Sequence, residues 1–569
     1  MKEYKRMDYR MTVKLKKKGC IWFSVIGVLF YFFSLACKEL EQNGNIIWDA
    51  KWTVGLLAKS ILLGVATGCI LSLVLLKLEE VIQRRTVQEK WWNRKCSPKK
   101  TFLLVWGILF LCWLPAWLAY YPGICSYDIT IQMGQIAGGS YNTHHPLAHT
   151  LLFGAFWNLG KLLGNVNIGV GLYSLLQMAV LAVAFATVSS LFAKWDANRL
   201  TLILLTVYEA FLPVNWYLGI TATKDVLFSV FVLLSFFFLY AILRQENGKD
   251  IKWHISFILV NIGVILFRNN GLYALAVLWV VLGMMVFFTR KQKIKVYKKL
   301  LLDITLALCV GFLLVTALAK VTNAQEGDKR EMLSMPIQQL ARTMIYHGGV
   351  DVLPEDDNTI DEVDKALIRD LFMEDGYQYY RVDISDPVKK RTNTSVVRYR
   401  PVEFAKTYLS LLVAYPGDYI NATLGTNAGF LYPGDKTHAV INVNGRDVGL
   451  GYIQTRWVDA ELNPNGIVKD SKWSGLRNAL ETFADQNTYL KVPVLRYLIA
   501  PGAYLWCYLL LAAWLFIHKK YKEMLPLAFV LGYFLTLFLG PTVQLRYLYP
   551  LMIALPYLLV YACVNKKDM

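Results

Sequence analysis

Residues 101–120 read TFLLVWGILFLCWLPAWLAY and carry no charge. Similar runs recur along the chain, most of them long enough to cross a hydrocarbon core of about 30 Å. Backbone amides find no water in such a core, so a chain with many such runs folds as a bundle of membrane helices. Composition agrees: of 569 residues 56% are hydrophobic and only 18% charged, a low share for a soluble protein of this length. Spans are expected near 20–37, 53–76, 101–120, 166–193, 199–213, 225–243, 251–267, 271–289, 299–320, 496–517, 523–540 and 546–563.

Basic residues orient the bundle, because Lys and Arg stay in cytoplasmic loops. Residues 1–19 hold eight Lys or Arg, and loop 77–100 holds eight more. The stretches TRKQKIKVYKK (289–299), HKKYKE (518–523) and NKKDM (565–569) should face the same side. That parity holds only if the run 148–163 does not cross. It is short, broken by Gly160 and Gly164, and contains His149 and Asn158. It is read as an interfacial or re-entrant helix on the outer face. The expected fold is an all-α polytopic membrane protein of about 12 transmembrane helices, both termini cytoplasmic. The net charge of +19 then reflects Lys and Arg retained in cytoplasmic loops; membrane lipids are the expected surroundings, and no nucleic-acid partner is expected. The basic N-terminus lacks a cleavage site, so it reads as a flank and not a signal peptide. The nine cysteines sit mostly inside apolar runs, so no disulfide framework is expected.

Four regions follow. Residues 1–100 give the basic N-terminus and two spans. Residues 101–320 form the transmembrane core, with an outer loop at 121–165. Residues 321–494 form an extracytoplasmic domain of helices and loops, and residues 495–569 add three spans. The 321–494 segment holds 24 acidic and 19 basic residues, the opposite balance to the rest of the chain. Thr359-x-x-Glu362 reads as a capping box before an amphipathic helix containing Ile360, Val363, Leu367, Ile368 and Leu371. PVEFAKTYLSLLVAYPG reads as a second helix stopped by Pro416-Gly417. SMPIQQLARTMIYHGG reads as a third, its apolar face (Ile337, Leu340, Ala341, Met344, Ile345) suited to lying on the membrane.

The polar residues of the outer loops are few and ionisable. SYDITIQ holds Asp128, and NTHHPLAHT holds His144, His145 and His149. TATKD ends in Lys224 and Asp225, RNNG begins with Arg268, and GPTVQLR ends in Arg546. Asp128 reads either as a helix N-cap or as a general base or metal ligand at a cleft. His145 and His149, one helical turn apart, are candidate ligands for a divalent metal ion, although the Glu of a zinc-protease helix is missing between them. Lys224, Arg268 and Arg546 read as snorkelling side chains singly, and as an anion clamp together. Asp225 stands where it would cap the next helix. Tyr127 and its aromatic neighbours are either belt anchors or stacking surfaces for sugar rings.

The order of these features resembles the GT-C superfamily of membrane glycosyltransferases. There the first outer loop carries a catalytic Asp, and a His-Pro-Pro-Leu-like motif opens a juxtamembrane helix. The matching residues here are Asp128 and His145-Pro146-Leu147, with His-His-Pro-Leu in place of His-Pro-Pro. Asp225 falls in the loop where that superfamily often has a second acidic residue, and LRYLYP (545–550) is similar to its late Arg-Tyr-x-x-Pro stretch. From about residue 100 onward the chain also looks like a group of Gram-positive multi-pass proteins of unassigned function. Those carry YPG-x-x-SYD, HHP, TKD, QQLAR and RYLYP stretches.

The resemblance implies an enzyme of the cell membrane with an extracytoplasmic active site. It would transfer a sugar from a polyprenyl-phosphate donor to an envelope glycan or lipid acceptor. Asp128 and Asp225 would be catalytic. His144, His145, Lys224, Arg268, Arg546 and Tyr127 would bind substrate. The rival expectations are a transporter or flippase of lipid-linked saccharides, and an envelope polysaccharide polymerase or ligase.

Overall fold

The computed structural model describes residues 2–85, 94–126, 128–245, 250–288, 294–327, 329–349, 358–434, 440–443, 446–449, 452–453, 455 and 457–564. Helices α1 (Lys2–Asn43) and α2 (Ala50–Arg85) form an antiparallel pair. Glycines bring their backbones together: a Cβ on Gly64 would lie 2.2 Å from the Val28 nitrogen, and one on Gly68 would lie 2.3 Å from that of Ser24. Helix α3 (Pro98–Ala119) packs on α6 (Val166–Lys194), and two shorter helices stand between them in sequence, α4 (Ile129–Gly138) and α5 (Leu147–Leu162). With 16 residues, α5 spans about 24 Å, short of a hydrocarbon core.

The chain continues through α7 (Arg199–Phe211), α8 (Pro213–Gly219), α9 (Lys224–Leu243), α10 (Ile251–Phe267), α11 (Asn269–Phe288) and α12 (Ile294–Val321). Among the described residues, eight helices are long and apolar enough to cross a membrane. Two bent pairs raise that to ten: α7 with α8 (58°), and α21 (Pro493–Ile499) with α22 (Gly502–Ile517) (81°). Two shorter apolar helices remain, α10 and α23 (Leu525–Phe538). The chain is therefore a helical, multi-pass membrane protein, and exposed residues such as Leu62 and Phe287 give it lipid-facing surface. Its most enclosed spans are α9 and the proline-containing α24 (Leu545–Val564), which pack on each other. An aromatic column closes that centre, with the Tyr557 ring stacked between Phe185 and Phe192 at centroid distances of 6.0 Å.

The polar segment has a core of its own. Helices α13 (Ser334–His347), α14 (Glu362–Leu371), α15 (Asp386–Lys389), α16 (Thr394–Tyr399), α17 (Pro401–Ala414) and α18 (Pro416–Leu431) enclose Ile337, Leu340, Met344, Leu367, Leu371 and Leu411. Three details differ from the sequence-based expectation. The apolar face of α13 is buried in this core and not spread on a membrane, since Ile337, Leu340, Ala341 and Met344 have no exposed surface. Helix α14 begins after Asp361 with no side-chain cap, Thr359 bonds the Tyr415 hydroxyl instead, and Val363 is exposed. Pro416 opens a further helix, because a proline that ends one helix also fits the first turn of the next. That helix, α18, packs on α1, α13 and α22.

Arg342 ties the segment to the first interhelical loop. It is fully buried and donates to Asp418, Tyr380, the Gly44 carbonyl and Asn45. Further on lie a two-stranded hairpin, Val440–Val443 with Arg446–Gly449, and helices α19 (Asp459–Leu462) and α20 (Ser474–Asp485).

Candidate active site

Two loops are tied together before any charged group meets another. Ile124 N donates to the Ile220 carbonyl at 3.0 Å, and Ala222 N donates to the Ile124 carbonyl at 2.9 Å. Gly123 makes this approach feasible. Its φ of 136° is closed to side chains, and a Cβ there would lie 3.0 Å from the Ile220 oxygen. Gln177, a polar residue inside α6, donates to the carbonyls of Leu218, Gly219 and Thr221 and so pins the second loop. The bridge brings the start of α4 beside the start of α9, and with them Asp128 beside Lys224.

Asp128 stands at the N-cap of α4, but its side chain makes no capping bond. It turns instead to two cations. Lys224 Nζ lies 2.6 Å from Oδ2, and Arg546 grips both oxygens, Nη1 at 2.8 Å from Oδ2 and Nη2 at 3.2 Å from Oδ1. Lys224 also donates to His145 Nδ1 at 3.0 Å. Arg546 reaches Asp225 Oδ2 at 3.4 Å, and Arg268 is paired with Asp225 Oδ1. Thr223 is the N-cap of α9, and its hydroxyl donates to Asp225 Oδ2 at 3.0 Å. The arginines are held on their far sides too. Arg546 Nε donates to Gln544 at 2.7 Å, and both guanidinium groups lie over the Tyr547 ring, at 4.5 Å for Arg268 and 4.9 Å for Arg546.

Thus Asp128, His145, Lys224, Asp225, Arg268 and Arg546 form one contiguous cluster. It draws on residues up to 418 positions apart, and it lies at helix ends and not mid-span. Two acidic side chains face three basic ones. Burial works against ionisation of Asp128, but Arg546 and Lys224 outweigh it and hold the carboxyl well below the ordinary carboxylate range. His145 is pushed the other way, by burial first and Lys224 second. It stays neutral down to about 3. Since the ammonium donates to Nδ1, the ring proton belongs on Nε2, which is buried and has no partner among the described residues.

The remaining expected residues lie apart from this contact set. His144 packs edge-on against the His145 ring, with centroids 4.5 Å apart. His149 is fully buried, with Nδ1 3.0 Å from Gln132 Oε1 and Nε2 2.7 Å from the Tyr173 hydroxyl. Tyr127 lies outside the described residues. The candidate metal set is not supported. Both nitrogens of His149 are committed, Lys224 sits where a cation bridging His145 and Asp128 would sit, and among the described residues no three His, Cys, Asp or Glu are placed to hold an ion.

Sequence reasoning missed Gln177, Gln544, Thr223 and Tyr547 as parts of the site's frame. Gln177 carried a signal as an uncharged polar residue inside a long apolar helix, and Tyr547 carried one as the first tyrosine of LRYLYP. It missed Glu209 as well. This acidic side chain is fully buried near the α7–α8 bend, where it accepts from Asn215 Nδ2 at 2.6 Å, and Asn215 in turn accepts from the Tyr549 hydroxyl at 3.0 Å.

No curated protein and no solved structure matches the chain. A family model does, over residues 137–569, a stretch that includes His145, Lys224, Asp225, Arg268 and Arg546 and begins after Asp128. Covering most of the chain, that match places this protein in the family of unknown function DUF6020.

Proposed function

We propose that the protein is a GT-C-type membrane glycosyltransferase that moves a sugar from a polyprenyl-phosphate donor to an envelope acceptor. In this reading all twelve apolar segments cross the membrane. Both termini are cytoplasmic, the Asp128 cluster faces outside, and residues 321–494 form a domain on that face. The observation that carries the proposal is the cluster itself: one half-buried carboxylate beside a surplus of cations at the ends of membrane helices. Charges so placed are costly unless they serve a site.

The chemistry needs few groups. Asp128 Oδ2 takes the proton of an acceptor hydroxyl as its oxygen attacks the anomeric carbon. The bond from that carbon to the phosphate oxygen breaks, and the electron pair leaves with the polyprenyl phosphate. Lys224 and Arg546 face the growing charge, and His145 Nε2–H offers a further donor. Asp225, with no exposed side-chain surface, serves as a positioning residue that holds Arg268 and Arg546, and does not touch substrate.

The test is Asp128→Asn against the exposed control Lys406→Gln, at equal expression, in cells scored for envelope glycan composition. A wild-type glycan profile from Asp128→Asn sinks the assignment. One observation favours a carrier instead: a fully buried acidic side chain, Glu209, beside a broken span, since carriers place ionisable groups at such breaks. Under that reading Glu209→Gln abolishes function. Under the transferase reading it leaves the glycan unchanged.

A further inference from the structure

We infer that Lys224 is a latch: it holds Asp128 inactive until the phosphate of the donor draws the ammonium away, so the donor must bind before the acceptor can be deprotonated. The inference rests on the donor reading above. Three features single out Lys224 as the moving part.

The first is access. The side chains of Arg546, Arg268 and Asp225 are 4%, 9% and 0% exposed, whereas Lys224 keeps 12% and Asp128 keeps 25%. A ligand therefore meets the Lys224–Asp128 edge first. The second is anchorage. Arg546 is held by Gln544, Asp225 and the Tyr547 hydroxyl as well as by Asp128. Lys224 has two polar partners among the described residues, Asp128 and His145. It is also the first residue of α9, with a flexible four-carbon stem and a single point charge that can change partner without breaking a fork. The third is charge. The cluster holds three basic side chains against two acidic ones, so a phosphodiester is matched as it arrives and gains charge as it leaves.

When Lys224 swings to the phosphate, Arg546 still holds Asp128 through both oxygens. The carboxylate stays oriented, loses one of its two cations, and regains basicity at Oδ2, the oxygen that Lys224 has left. His145 Nδ1 loses its donor in the same motion. An acceptor that arrived first would meet a carboxylate already neutralised, which guards the donor site against unproductive proton transfer.

The experiment uses the full chain in lipid nanodiscs and farnesyl phosphate as the probe, read by difference infrared spectroscopy. The Asp128 carboxylate band is the one absent from Asp128→Asn. Farnesyl phosphate should shift that band in the wild type. Lys224→Gln without ligand should already show the shifted band, and farnesyl phosphate should move it no further. If the phosphate bands report binding while the Asp128 band stays still, the latch is wrong and the donor reading stands. If farnesyl phosphate does not bind the wild type, both fall. If inorganic phosphate shifts the band as well, the latch holds for a free anion and the lipid is not required. Should Lys224→Gln fail to fold, the wild-type arm alone decides.

Discussion

Removing the charge of Arg268 tests how desolvated the centre of the cluster is. The Asp225 side chain has no exposed surface and that of Arg268 is 9% exposed. Truncating one partner of such a pair strands the other, at about 3–5 kcal/mol. In Arg268→Gln, Arg546 remains 3.4 Å from Asp225, an attraction of about 5 kcal/mol at an effective dielectric of about 20. Thr223 still donates to the same carboxylate. The loss should therefore fall at the low end, about 3 kcal/mol. Asp225→Asn strands Arg268, which has no other carboxylate partner among the described residues. It should cost more, about 4–5 kcal/mol. The double variant removes both charges and should cost about 2 kcal/mol, far less than the sum. The assay is denaturant unfolding in detergent micelles for wild type, both singles and the double. Single variants within about 0.5 kcal/mol of wild type, or additive losses, would refute the idea of a dry, interdependent pair.

Acid should weaken the fold through its buried histidines. Burial first, and Lys224 second, hold His145 and His149 at about 3 instead of 6.5. The unfolded chain takes up protons below 6.5 that the fold refuses, so stability is complete above that pH and falls as pH drops from 6.5 towards 3. Each histidine adds a slope of at most about 1.4 kcal/mol per pH unit. His149→Gln should flatten the pH dependence of the melting temperature, and an unchanged slope would clear His149 of the effect. Asn215→Leu strands Glu209 and the Tyr549 hydroxyl and should cost about 2–4 kcal/mol. Glu209→Gln keeps the acceptor and should stay within about 1 kcal/mol of wild type in the same unfolding assay. Gly64→Val drives a Cβ into the Val28 backbone and should lower the melting temperature, while Gly55→Val, with open space around it, should not.

The membrane character was legible because burying a charge in lipid is costly, so residues 101–120 could be little else. Asp128, Lys224, Arg268 and Arg546 were legible for the same reason, as ions left beside apolar runs. Their partners were not. Asp128 and Asp225 both read as helix caps from the sequence, but Thr223 caps α9 and Asp225 lies one residue inside it, and sequence alone does not show that Arg546 is near enough to engage both carboxyl groups. The α13 face was misjudged because Ile337 and Leu340 suit lipid and a protein core equally well. Helix α18 was missed because its glycines, asparagines and threonines favour loops. Tertiary packing on α1, α13 and α22 overrides that preference.

The bidentate grip of Arg546 on Asp128 also bears on biosynthesis. The two residues are 418 positions apart, so a ribosome delivers Asp128, Lys224, Asp225 and Arg268 to the membrane long before it delivers the helix that binds the two carboxylates together. Until α24 inserts, the earlier helices hold two acids and two bases with no common bridge. Completion of the cluster thus waits for the insertion of α24, which carries Arg546. A nascent or truncated chain, whatever lipid it meets, has no assembled site with which to act on it.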